Sequence, residues 1–149
     1  KKFMPPVWLY FIRSSVIMDN NLRFKKNILH EDELFTVQLL KECNRIMYDS
    51  NQYFQRRYRS NSIMTNRLNS NVKSFESKIA IIAIFNEMLE SLDANSHFYK
   101  FVRKRRNALY TTLFFYKLEE SYPKKNKIKN IEANFDWKTF LIEFKKYYL

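Results

Sequence analysis

His30-Glu31-Asp32-Glu33 places an imidazole and three carboxylates directly ahead of the apolar pair Leu34-Phe35. On the first turn of a helix, a carboxylate is kept ionised by the free backbone N–H groups and the helix dipole. At the edge of a cleft, such a carboxylate can take the proton of a substrate hydroxyl. The plain alternative is an acidic N-terminal cap with no chemistry. A second concentration of functional groups follows in Arg57-Tyr58-Arg59-Ser60-Asn61-Ser62-Ile63-Met64-Thr65. It is a basic and hydroxylic loop, or else a solvated turn.

The elements that must hold these groups follow from the apolar pattern. Val7-Trp8-Leu9-Tyr10-Phe11-Ile12 is a short β-prone run after two prolines and reads as a buried strand. Asp19-Asn20-Asn21 reads as a turn. Glu31 to Asn44 reads as a helix with an acidic first turn, an apolar face of Leu34, Phe35, Val37, Leu39 and Leu40, and Lys41 near its end. Arg45–Tyr48 and Gln52–Tyr58 read as two short strands around an Asp49-Ser50-Asn51 turn. Asn66 to Asn71 is a polar connector. Steps of three and four from Val72 to Leu92 predict a long amphipathic helix, and Asn95 to Tyr122 a second. Pro123 to Lys127 is a basic loop, and Trp137 to Tyr148 a short terminal helix. The expected fold is α/β of an α+β-like kind: short strands and one helix over residues 1–66, then a basic helical region of three helices over 67–149.

Composition removes several classes of function. The 149 residues contain no glycine, so no P-loop or dinucleotide-type phosphate cradle is present. A single cysteine, Cys43, excludes an internal disulfide and a cysteine-based zinc cage, which suits a reducing compartment. The longest apolar run, Ile79 to Phe85, is far short of the roughly 18–20 residues of a membrane span. The 26 aromatics argue for a packed core rather than disorder.

The order of the front elements resembles the second half of bacterial family 2 glycosyltransferases, the GT-A enzymes that build capsular and other cell-surface polysaccharides. The resemblance spans Val7 to Thr65. A strand ending in Arg13 precedes Asn20-Asn21-Leu22-Arg23-Phe24, then His30-Glu31-Asp32-Glu33-Leu34-Phe35, then Tyr53-Phe54-Gln55-Arg56-Arg57-Tyr58-Arg59 running into Ser62-Ile63-Met64. Each piece is weak alone; their succession carries the likeness. It implies that Asp32 is the catalytic base of an inverting transfer from a nucleotide-sugar donor to a glycan acceptor. Glu31, about 100° away on a helix, then orients the acceptor or the helix start. His30 contacts acceptor or sugar, or is an ordinary loop histidine. Arg57, Arg59 and Ser62 match the family's basic loop, where arginine donors can engage diphosphate oxygens. Trp8 is read as a tryptophan buried in its strand, with a platform for a sugar ring as the second reading.

The departures are as informative. The family's first half carries the nucleotide-binding sheet and an Asp-x-Asp that holds Mg²⁺ or Mn²⁺ with the diphosphate, and this sequence has no Asp-x-Asp. The resemblance therefore implies a C-terminal portion, inactive alone. The full enzyme needs the metal, and its ligands are expected outside these residues, in about 150–200 residues of α/β sequence ahead of Lys1.

Twenty-seven Lys and Arg against fifteen Asp and Glu leave a net charge of +12. Three partners suit that excess. The first is an anionic membrane surface, which places the protein in the cytoplasm, peripheral on the cytoplasmic face of the plasma membrane. The second reading is structural, with the helices packed against the missing half or a further copy of the chain. The third is nucleic acid, for which Arg103-Lys104-Arg105-Arg106 is the best candidate. Four consecutive basic residues on a helix point in all directions, however, and no recognised nucleic-acid motif accompanies them. The alternative to catalysis is thus a basic helical module that binds nucleic acid or a partner protein.

Overall fold

A computed structural model describes residues 3–55, 57, 67–118, 141 and 145. The chain divides into two compact units, Lys1–Ser70 and Asn71–Leu149. Four α-helices are present among the described residues: α1 (Ser14–Asp19), α2 (Glu31–Glu42), α3 (Arg67–Glu90) and α4 (His97–Leu118). A 3₁₀ turn, Val7–Leu9, precedes them.

No strand occurs among the described residues, so the α/β expectation for the front is corrected to helix and extended coil. Three segments account for the error. Val7–Ile12 opens as the 3₁₀ turn, with Leu9 N–H bonded to Pro6 C=O at 3.1 Å and Tyr10 N–H to Val7 C=O at 3.0 Å. Arg45–Tyr48 and the described part of Gln52–Tyr58 enter no ladder. Apolar and aromatic residues favour a pleated, half-buried surface, but a strand exists only where a neighbouring strand takes its N–H and C=O groups. The backbone remains extended without that neighbour, as at Tyr10 (φ −115°, ψ 133°) and Cys43 (φ −85°, ψ 117°).

Helix α1 is not expected from the sequence, which gives only a turn at Asp19-Asn20-Asn21; in the structure that turn closes the helix. That end is a Schellman closure: Asn21 N–H bonds Met18 C=O at 3.2 Å, and Leu22 N–H bonds Ile17 C=O at 3.0 Å. Asn21 has φ 47°. With no glycine in the chain, asparagine, whose short polar side chain tolerates the left-handed region, takes the role. Asn20 Nδ2 adds a bond to Val16 C=O at 2.9 Å.

Helix α2 is the core of the first unit. Its predicted apolar face holds: Leu34, Phe35, Val37 and Leu39 are buried, and Leu40 is half-buried. Both α1 and the 3₁₀ turn pack against it. Phe24 stacks on Phe35 with ring centroids 4.3 Å apart. Lys41 and Glu42 lie in the last turn, and Cys43 is the C-cap. Partial burial, and then the neighbouring Glu42 carboxylate, push the Cys43 thiol up from its ordinary value.

Helices α3, all but its first four residues in the second unit, and α4 follow one another as a helical hairpin through residues 91–96, tied by Arg106 Nη1 on α4 donating to Asn86 Oδ1 on α3 at 3.1 Å. Helix α3 begins at Arg67, so the connector read over residues 66–71 is mostly helix. Polar residues cost a helix only up to about 0.7 kcal/mol each, and adding residues to an existing helix is far easier than nucleating one. Phe75, Ile81, Ile82, Phe85 and Leu89 are buried on α3, and Val102, Leu109, Tyr110 and Leu113 on α4. The start of α4 is capped by Ser96, whose Oγ accepts Tyr99 N–H at 3.0 Å. Thr111 and Thr112 return their hydroxyls to Asn107 C=O and Ala108 C=O, at 3.0 and 2.9 Å, so neither interrupts the helix. The Pro123–Lys127 loop and the α4 residues expected beyond Leu118 lie outside the described residues. So does the terminal helix over 137–148, apart from Leu141 and Lys145, which are helical.

Candidate active site

His30 and the three acids after it sit where the sequence placed them, at the entry to α2. His30 is the residue just outside the helix, exposed and left-handed at φ 62°, ψ 31°. Its side chain makes no cap bond. Instead the helix opens through backbone, with Glu33 N–H bonded to His30 C=O at 3.0 Å. The same N–H also reaches Asp32 Oδ1 at 2.9 Å, which holds the Asp32 carboxylate against the free donors of the first turn.

Three adjacent carboxylates are thereby given different surroundings. Glu31 and Asp32 are half-buried, while Glu33 is 5% exposed. The difference follows from helical geometry: successive side chains turn about 100°, and Glu33 falls on the side of α2 that also buries Leu34 and Val37. One turn beyond Asp32 on the same side lies Thr36, fully buried, whose Oγ1 donates to Pro5 C=O at 2.7 Å. Through that bond the N-terminal segment is tied to the site helix. The sequence offered one signal for Thr36, a lone hydroxyl inside an apolar helix face, and the reading passed over it.

Trp8 departs from its expected place. It lies on the 3₁₀ turn rather than in a strand, and it is 49% exposed rather than buried. Its ring stacks on Phe54 with centroids 4.2 Å apart and planes 27° apart. Phe11 meets Tyr53 edge-on, with centroids 5.7 Å apart. The two segments read as strands therefore do lie side by side, joined through rings and not through backbone. The turn between Tyr48 and Gln52 holds as predicted: Asp49 Oδ1 accepts Asn51 N–H at 2.9 Å, and Asp49 Oδ2 accepts the Tyr53 hydroxyl at 2.6 Å. Those bonds, the Tyr53 hydroxyl first, hold the Asp49 carboxyl below its ordinary value.

Arg57 is exposed and belongs to no helix. Arg59 and Ser62, the rest of the proposed basic loop, lie outside the described residues, so the structure relates neither to Asp32. Among the described residues no three His, Cys, Asp or Glu side chains gather as a metal site. No described helix is long and apolar enough to cross a membrane.

The basic cluster on α4 is partly committed within the hairpin. Arg106 shares the side of α4 that buries Val102, Leu109 and Leu113. Its Nη1 donates to Asn86 Oδ1 on α3 at 3.1 Å, its Nε and Nη2 donate to Asn107 Oδ1 at 3.2 Å, and its guanidinium lies 5.8 Å from the Tyr110 ring centroid. Of the four basic residues only Lys104 is exposed, the others being half-buried. Asn86 was missed as a partner because one asparagine in an apolar helix carries no pairing information by itself.

Compared with family models, curated proteins and solved structures, the chain shows no match.

Proposed function

We propose that this chain carries the acceptor side of an inverting glycosyltransferase that moves a sugar from a nucleotide-sugar donor onto a polysaccharide or lipid-linked acceptor of the cell surface. One observation supports the reading above the rest: of the three carboxylates at the entry to α2, Asp32, which the resemblance singles out as the base, is fixed by a backbone N–H and remains half-accessible, while Glu33 is buried. In the transfer, the acceptor oxygen attacks the anomeric carbon as the bond from that carbon to the diphosphate oxygen breaks. The nucleoside diphosphate leaves with the bonding pair, and Asp32 receives the acceptor's proton. Glu31 and His30 flank that carboxylate and contact the acceptor. Arg57 is exposed and able to approach phosphate charge, and the resemblance gives Arg59 and Ser62 the same role. Trp8, half-exposed, presents an aromatic edge to a sugar. The donor-binding half, with Mg²⁺ or Mn²⁺, is supplied by sequence other than these residues, and the basic surface suits the anionic cytoplasmic face of a membrane.

The test uses the enzyme with its donor-binding half present. Asp32→Asn is expected to lower turnover by a factor of about 10² to 10⁴, with donor binding by calorimetry unchanged. Turnover within a few-fold of the unaltered enzyme removes Asp32 from the role of base.

The alternative, a basic module for nucleic acid, would draw on Arg103 to Arg106. Arg106 is already engaged by Asn86 and Asn107, which leaves that reading fewer free cations than the sequence suggests.

A further inference from the structure

Thr36 is fully buried on α2, one turn beyond Asp32. Its hydroxyl is used unlike those of Ser77, Thr111 and Thr112, which donate to the carbonyl four residues back in their own helix. Thr36 donates instead to Pro5 C=O, 31 residues away in the chain, at 2.7 Å. The acceptor explains the arrangement. Pro5 and Pro6 carry no N–H, so the chain through them can be held only by its carbonyls. Pro5, standing before a second proline, is biased to extended backbone. A hydroxyl offered from the buried side of α2 fastens such a segment where no backbone donor is at hand.

From Pro5 the contacts run on within the first unit. The Tyr10 hydroxyl donates to Met4 C=O and closes residues 4–10 on themselves. The 3₁₀ turn inside that span packs on α2 and carries Trp8, whose ring stacks on Phe54 with centroids 4.2 Å apart. Phe11 meets Tyr53, and the Tyr53 hydroxyl is in turn bonded to Asp49. Residues 53–54 are thereby located against α2 by way of the N-terminal segment. Arg57 follows Phe54 by three residues, so their Cα atoms lie within roughly 11 Å of each other.

We infer that Thr36 is a positioning residue of the transfer site: through Pro5, Trp8 and Phe54 it sets where Arg57 stands relative to Asp32, so that the arginine meets the donor's nucleoside diphosphate while the carboxylate faces the acceptor hydroxyl. The effect on transfer rests on the glycosyl-transfer reading; the brace from α2 to residues 53–54 does not.

Thr36→Val keeps the shape of the side chain and removes the donor, and Thr36→Ser keeps the donor. Trp8 and Trp137 are the two tryptophans, so in a Trp137→Phe background Trp8 reports alone. Thr36→Val should raise acrylamide quenching of Trp8 and shift its emission to the red, with helical circular dichroism retained; Thr36→Ser should do neither. In the enzyme with its donor-binding half present, Thr36→Val should lower kcat/KM for the nucleotide-sugar by about 10- to 100-fold, as a misplaced contact group does, and Thr36→Ser should restore it. Combined with Arg57→Ala the loss should not add, because Thr36 acts through that arginine. Phe54→Leu alters a ring that is 53% exposed, spares the core of α2, and should repeat the donor defect even where Thr36→Val fails to fold. The positioning role is overturned by unchanged Trp8 quenching in folded Thr36→Val, by a fully additive loss with Arg57→Ala, or by normal donor use in Phe54→Leu. Near-normal turnover of Asp32→Asn overturns the transfer reading and with it the role in transfer. That outcome is told apart by a Trp8 signal that still depends on Thr36.

Discussion

In the α3–α4 hairpin, Ile81, Phe85 and Val102 have no exposed surface, whereas in the preceding unit Phe11 is 89% and Met47 92% exposed. Both regions are rich in large apolar residues, so the contrast does not come from composition. It comes from how each backbone is satisfied. A helix closes its hydrogen bonds within itself and needs only an opposing face, which the hairpin supplies through a short connection. An extended segment needs a second segment for its backbone before its side chains have anything to cover. The first unit solves this around α2, where helix and turn pack together, and leaves Phe11, Ile46 and Met47 facing outward.

Paired substitutions can break that contrast. Phe85→Ala should cost about 3–5 kcal/mol in denaturant unfolding, while Phe11→Ala should stay within about 0.5 kcal/mol. Equal losses would mean that Phe11 is covered. Next in size, Arg106→Ala should cost about 1–3 kcal/mol, because Asn86 is left without its donor. Arg106→Lys should recover little of it, since an ammonium cannot reproduce the forked contact, and Lys104→Ala should be near neutral. If Arg106→Ala is neutral as well, the arginine is not a tie between helices.

The two helix starts sharpen the comparison further. Ser96→Ala removes the cap of α4 and should cost about 1 kcal/mol. His30→Gly should instead stabilise the entry to α2, by up to about 1 kcal/mol, by relieving a left-handed non-glycine residue. The same substitution should weaken acceptor use if His30 touches the acceptor, as expected where strain is stored at a site.

The smallest effect is local and pH-dependent. The Asp49 carboxyl is held below its ordinary value of 3.8, so its contribution to the turn is present above that value and fades as pH falls through the lower, folded one. A proton-resonance titration of Asp49 should show the shift, and Tyr53→Phe should move the Asp49 midpoint upward. An unchanged midpoint would separate the turn from the hydroxyl.

Much of the helical architecture was legible. The entry to α2 could be placed at Glu31 because three acids and an apolar periodicity agree there, and the buried residues of α3 and α4 largely follow their steps of three and four. Sequence reading failed where a β-prone run was taken as sufficient for a strand. Val7–Ile12 and Arg45–Tyr48 have the composition of strands but no ladder partner. The site was legible to the same degree: the quartet at residues 30–33 was found, the exposure of Trp8 was not, and the polar ties Thr36–Pro5 and Asn86–Arg106 were invisible because they join residues distant in the chain.

What the order of residues determined by itself is local: which segments close their own hydrogen bonds as helices, where α2 begins, and that these residues hold no glycine cradle and no internal disulfide. What only the tertiary structure decided is which groups remain accessible. Asp32 and Glu33 are neighbours with the same chemistry, and only the packing of α2 leaves one half-open and encloses the other. Accessibility is set by what lies opposite a side chain in space, and a linear pattern does not record that.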